Sequence, residues 1–240
     1  RSYQYCYALK PCYSFGVNTI QLLQSDNQYP ERLRQLTSPP KQLFTKGKLA
    51  LLTLLERPVV GVIGARSVTP YGQLVTEKLA RELSEQGVTI VSGMALGVDG
   101  IAHAAALKAG GPTIAVLPSP VSDPFPKSHR NLANQILVQG GMLVSEYPDG
   151  EEVYKTNFVA RNRIVAGLSD VLLITEAGEK SGSLHTARFM LEIGREVLAV
   201  PGPITSRQSM GTHNLLKSGA GLVTTVDDIL LALGLVRHHA

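Results

Sequence analysis

An α/β fold, with a mostly parallel sheet covered by helices on both faces, is what this 240-residue sequence predicts. Three observations carry the expectation. From Pro58 onward, short apolar runs alternate with helix-like stretches about seven times, and the links between them are short, as in strand–helix–strand crossovers. The apolar runs are continuous, as strands buried on both faces must be. Hydrophobic residues make up 44% of the chain but aromatics only 5%, and Trp is absent, so the core has to be aliphatic.

The elements follow in order. VVGVIG at 59–64 reads as a buried strand. Thr69-Pro70 is a helix start, with Thr as N-cap and Pro at the first helical position. That helix carries Val75, Leu79 and Leu83 on one face and stops at Gly87. VTIVS is the next strand, and Asp99 is read as the cap of a helix over GIAHAAALKA, which ends at Gly110-Gly111. TIAVL, MLVSE, VLLIT, EVLAV and the short GLVTT are strands. Residues 130–139, RNRIVAGL, SLHTARFMLEIG, THNLLKSG and VDDILLALGL are helices. Upstream, residues 18–52 read as short helices broken at Tyr29-Pro30 and Ser38-Pro39-Pro40. Residues 1–17 are Tyr-rich with no period. The expected organisation is a partly helical extension over 1–54 and one Rossmann-like domain over 55–235, with no winged-helix domain after it.

The net charge of +4 is mildly basic, which suits an anionic partner without requiring one. Cys6 and Cys12 are too few for a disulfide framework or a thiolate zinc site, so reduced thiols are expected. No run approaches the roughly 18 apolar residues of a membrane span, and the first residues lack the apolar centre of a signal peptide. A cytoplasmic protein without membrane contact, cofactor or metal is the expectation. There is no G-x-G-x-x-G after the first strand, no G-x-x-x-x-G-K-[ST], no G-x-S-x-G and no H-E-x-x-H.

In an open parallel sheet, ligands bind beyond the carboxyl ends of the strands. The loops there carry Arg66, Lys127, His129, Arg130, Arg161, Arg163 and Lys180, with glycines and serines placed just before helix starts. Helix N-termini present unpaired N–H groups to an anion, and glycine lets the backbone come close to it. Ser92-Gly93 and Ser181-Gly182-Ser183 are therefore read as two phosphate cradles on neighbouring strands. Gly93 and Gly97 also have a plainer reading, as residues of a tight turn. His103 is read as a buried, hydrogen-bonded histidine in preference to a base, and Asp99 and Glu176 as caps or partners of the arginines in preference to catalytic carboxylates. No catalytic residue is assigned.

GARSVTPYG at 64–72, SGMALGVDGIAH at 92–103, SEYP at 145–148, FVARNRIVAGLS at 158–169, SGSLHTA at 181–187 and GTHNLLKSGA at 211–220 occur together and in order. So do YP at 29–30, FP at 125–126 and VPG at 200–202. In this the chain resembles the DNA-processing protein A family (DprA, also called Smf) over about residues 28–230. The resemblance implies a homodimeric, non-enzymatic protein that binds and protects incoming single-stranded DNA. It also implies help in loading a RecA-type recombinase during natural transformation and recombination. Carried over by motif, the DNA pocket takes in Arg66, Ser92, Gly93 and Met94, then Lys127, Arg161, Asn162 and Arg163, then Ser181, Gly182 and Ser183. Ser67, Ala95 and Gly97, in the same loops, complete the expected DNA- and phosphate-binding set. Phe125, Tyr147 and Phe158 are placed for base stacking. The chain departs from the family where LPSPVSDPFP replaces a usually glycine-rich loop. The alternative is a nucleoside-monophosphate hydrolase or a nucleotide-sensing module on a similar fold. EKSGSLHTA lacks the paired glycines and trailing Glu of the P-G-G-x-G-T-x-x-E motif, which disfavours hydrolysis.

Overall fold

The computed structural model describes residues 18–235. Cys6, Cys12 and the Tyr-rich stretch lie outside the described residues, as do residues 236–240. The strands are β1 (Thr19–Leu23), β2 (Gln42–Gly47), β3 (Val59–Ile63), β4 (Thr89–Ser92), β5 (Thr113–Leu117), β6 (Met142–Ser145), β7 (Val171–Ile174), β8 (Glu196–Ala199) and β9 (Gly221–Leu222). The helices are α1 (Glu31–Arg34), α2 (Leu51–Leu55), α3 (Pro70–Glu85), α4 (Val98–Lys108), α5 (Arg130–Val138), α6 (Lys155–Leu168), α7 (Ser183–Glu192), α8 (Met210–Lys217) and α9 (Val226–Ala232).

Among the described residues, all nine strands form one sheet in the order β1-β2-β6-β5-β4-β3-β7-β8-β9. β3 to β9 are parallel to their neighbours, and β1 and β2 add an antiparallel margin. Successive residues of the central strands serve opposite faces, as strand geometry dictates. Val59, Ile63, Leu172 and Ile174 pack on one side with Leu33, Leu54, Ile164 and Met190 from α1, α2, α6 and α7. Val60, Val62, Val171 and Leu173 pack on the other with Leu79 and Leu83 of α3, Ala102 and Ala106 of α4 and Ile229 of α9. The doubly covered, aliphatic sheet is the architecture expected from the sequence. Thr69 caps α3 as expected, its hydroxyl accepting from the Gly72 N–H.

Three local expectations are corrected. Residues 18–52 are not a series of short helices, because β1 and β2 occupy much of that span. These edge strands bury few side chains, Leu22 in β1 and Leu43 and Thr45 in β2, so no apolar period marks them. Their backbone pairing, down to β2 on β6, holds them in place. Second, α6 begins at Lys155, six residues before the helix that RNRIVAGL at 161–168 predicts, so the preceding NFVA is helical as well. Third, Asp99 is not the cap of α4. The N-cap position belongs to Gly97, and the Asp99 carboxylate reaches back into the preceding loop. Among the described residues, no helix is long and apolar enough to cross a membrane.

Candidate functional site

The chain runs outward from β3 in both directions, through β4, β5 and β6 on one side and β7, β8 and β9 on the other. The switch lies between β3 and β7, and there the carboxyl ends open a crevice. A cleft of about 740 Å³ occupies it. Arg66 and Ser67 come from the loop after β3, and Ala95 from the loop after β4. Lys155, Phe158, Val159 and Asn162 come from α6, at the i, i+3, i+4, i+7 spacing of one helix face. Lys180, Ser181, Gly182 and Ser183 come from the turn into α7, and Gln208 from beyond β8.

The two glycine-serine turns do not sit on neighbouring strands, because β4 and β7 flank β3. Nor are they equivalent. The Gly93 and Ala95 N–H groups, which read as half of a phosphate cradle, donate to Asp99 Oδ2 at 3.1 and 3.2 Å. The anion this turn receives is the chain's own. On the other side of the Gly93 peptide, the carbonyl accepts from Arg161 Nη1, which also donates to Val116 O at 2.6 Å. A Cβ at Gly93 would overlap that guanidinium. The glycine is there for a close approach, but the approaching group is an internal arginine.

Other expected site residues are also committed inside the fold. Ser92 is fully buried and donates to Val62 O at 2.6 Å. Met94 is fully buried, packed in a cluster with Leu107, Leu117 and Ile136. Gly97 faces the backbone of Ala65 and Arg66. Arg163 turns away from the cleft to pair with Glu146 at 2.7 Å and to donate to Ser38 O at 2.7 Å. Lys127 stands exposed on a 3-10 turn, outside the cleft lining. Tyr147 is also off the lining. The cleft thus gathers Arg66, Ser67, Ala95, Arg161, Asn162, Ser181, Gly182 and Ser183 from the expected set. Sequence reasoning missed Lys155 and Gln208. Extending the period of α6 backwards from Asn162 would have reached Lys155.

The α7 end of the cleft is open. Gly182 is the N-cap of α7 and makes no side-chain cap; the Ser183 N–H donates to Ser181 Oγ at a long 3.4 Å, and the first turn holds no acidic residue. A Cβ at Gly182 would meet nothing within 4 Å. The Ser181 and Ser183 hydroxyls lie 2.8 Å apart beside it. Arg66, Lys155 and Lys180 are exposed around this end, and among the described residues none of them has a carboxylate at ion-pair distance. The arrangement suits an extended anion. Arg161, the fourth cation, is held down to about 10 by burial, with Asp99 opposing, and so stays charged at neutral pH. Burial pushes Asp99 up, against the pull of Arg161 and the two N–H donors. Glu176 is buried and accepts from the Thr69 N–H at 2.9 Å and hydroxyl at 2.5 Å, bracing the start of α3. Asp99 and Glu176 are therefore both engaged in structure.

His103 is also structural. It is fully buried, with Nδ1 2.7 Å from Thr113 Oγ1. The single Thr113 hydroxyl proton goes to Ile90 O, so His103 Nδ1 carries the donating proton, and among the described residues Nε2 has no hydrogen-bond partner. Burial, with His129 and Arg161 adding positive charge, depresses its pKa to about 3. The neutral ring is the native form, whereas an unfolded chain takes up a proton below about 6.5. Its contribution is present above that pH and is lost as pH falls towards the folded value. The protein is expected to be about 2 kcal/mol less stable at pH 5 than at pH 7 through this residue. Urea midpoints at the two pH values, compared with those of His103→Leu, measure it; an equal pH loss in the variant would assign the effect elsewhere.

A family model described as DNA recombination-mediator protein A matches residues 21–234. Protein Smf of Escherichia coli (strain K12) is 44% identical over 210 residues, covering 87% of this chain and 55% of that protein. The chain therefore spans about half the length of that relative. The X-ray structure of DNA processing protein A from Streptococcus pneumoniae superposes with a TM-score of 0.82 at 39% identity, over 88% of this chain and 73% of that one. A structure of DNA processing protein A from Helicobacter pylori, described for its single-stranded DNA binding mode, superposes with a TM-score of 0.78 at 35% identity, over 90% and 96%.

Proposed function

The chain belongs to the DNA recombination-mediator protein A family, and on that premise we propose that its cleft holds the sugar–phosphate backbone of single-stranded DNA. One observation carries the reading: Arg66, Lys155 and Lys180, none of them in an ion pair among the described residues, surround the N-terminus of α7, whose first turn holds no acidic residue, in a single cleft. Cations and helix N-termini grip phosphates without regard to sequence. A hollow of about 180 Å³ adjoins the cleft, lined in part by Leu96, Pro118 and Phe158, and offers unstacked bases an apolar wall. Duplex DNA keeps its bases stacked inside and cannot use that wall. The protein acts as a binder, not a hydrolase, since Asp99 and Glu176 are occupied by backbone and hydroxyl donors. Through this site it protects incoming strands and presents them to a RecA-type recombinase, as a homodimer, in transformation and recombination.

The test is a salt series with single-stranded and duplex oligonucleotides side by side. The single strand binds more tightly, and log affinity falls linearly with log salt. Arg66→Ala weakens single-strand binding about tenfold and lowers the salt slope by about one. Lys127→Ala, off the cleft, changes neither. Wild-type affinity in Arg66→Ala, or an equal loss in Lys127→Ala, would place the DNA elsewhere. Release of free base from nucleoside monophosphates would restore the hydrolase reading.

A further inference from the structure

We propose that Phe125 is a positioning residue for Arg66, and through it for the bound backbone; this rests on the cleft being the single-strand site. Three side chains form the chain of contact. The Arg66 guanidinium lies 5.1 Å from the centre of the Phe158 ring, at cation–π distance. A guanidinium held flat on a ring keeps its N–H edge free for phosphate oxygens. The Phe158 ring is only half-buried and stands on the cleft face of α6. Its plane is set by Phe125, which meets it edge to face at 5.4 Å and 82°.

Phe125 is in turn held by the loop between β5 and α5, which is stiffened by Pro118, Pro120, Pro124 and Pro126. Its N–H donates to Ser119 Oγ at 3.0 Å. Ser119 is buried, donates to Asp123 O at 2.9 Å and has its own carbonyl bonded by Ser145 Oγ at 2.7 Å. Asn157 Nδ2, one residue before Phe158, donates to Pro118 O at 3.2 Å and ties this loop to α6. Phe125 itself belongs to none of the three core clusters. LPSPVSDPFP, the segment that departs from the family pattern, thus builds a rigid arm whose aromatic end orients a phosphate-binding arginine.

The experiment compares a thymidine oligonucleotide with an abasic one of equal length. Phe125→Leu is expected to bind both about three- to fivefold more weakly, with an unchanged unfolding midpoint. Phe125→Tyr keeps the ring edge and binds like wild type. In the Arg66→Ala background, Phe125→Leu has no further effect. Wild-type affinity in Phe125→Leu, or a full additional loss beside Arg66→Ala, overturns the proposal. So does a loss confined to the probe with bases, which would make Phe125 a base contact. Wild-type binding by Arg66→Ala removes the cleft reading itself, and the positioning role with it.

Discussion

Arg161→Ala destabilises the protein by about 3–5 kcal/mol, the cost of stripping one partner from a buried ionic network. Only 4% of Arg161 is exposed, and three groups depend on it. The Gly93 and Val116 carbonyls lose their Nη1 donor, and each unsatisfied buried acceptor costs about 1–3 kcal/mol. Asp99, itself buried, loses the cation that most lowers its pKa. Arg161→Lys restores charge but not the planar fork, and recovers only part of the loss. Asp99→Asn removes the orphaned charge while keeping an oxygen for the Gly93 and Ala95 N–H groups. The double variant is therefore less damaged than the sum of its singles. Urea midpoints of the four proteins test this, and an Arg161→Ala loss below 1 kcal/mol would show that the guanidinium is dispensable. DNA binding by Arg161→Ala has to be normalised to the folded fraction, because its first effect is on the fold.

Most of the sheet was legible because its central strands are buried on both faces. VVGVI, TIAVL and VLLI have no polar interruption, and burial of every residue matches that continuity. β1 and β2 were not legible because edge strands are defined by backbone pairing, which leaves little mark on side-chain type. The site was legible as a location but not in its parts. A glycine turn at a strand end makes the same demand on the sequence whether the anion it receives is an external phosphate or a carboxylate six residues on. Gly93 and Asp99 are the second case, and Gly182 has the open surroundings of the first. The sequence places Arg66, Arg161 and Arg163 in separate loops at one sheet edge, but Arg161 and Arg163 both lie on α6. Two residues apart on α6 they project about 200° apart, so one helix cannot aim both into one cleft. The structure sends Arg161 inward and Arg163 to Glu146.

Gly97 is where the fold and the site are most tightly joined, and Gly97→Ala is expected to cost about 3 kcal/mol or more. Two effects add. Gly97 has φ 78 and ψ −130, a region closed to L side chains at a cost of about 1–3 kcal/mol. A Cβ would also lie 2.6 Å from Arg66 O and overlap Ala65 O. These are backbone atoms and cannot rotate aside. The collision forces apart the β3 and β4 loops, which are joined there by the Val98 N–H to Ala65 O bond at 3.1 Å. Gly110→Ala supplies the control: its φ is also positive, at 73, but a Cβ there meets nothing within 4 Å. It should cost only the backbone term, about 1–2 kcal/mol, and leave DNA binding intact. Because the displaced carbonyls belong to Ala65 and Arg66, the folded fraction of Gly97→Ala also binds single strands about tenfold more weakly, as Arg66→Ala does. If denaturation and binding curves of the two glycine variants coincided, crowding at Gly97 would have no energetic weight, and Arg66 would not depend on the turn beneath it.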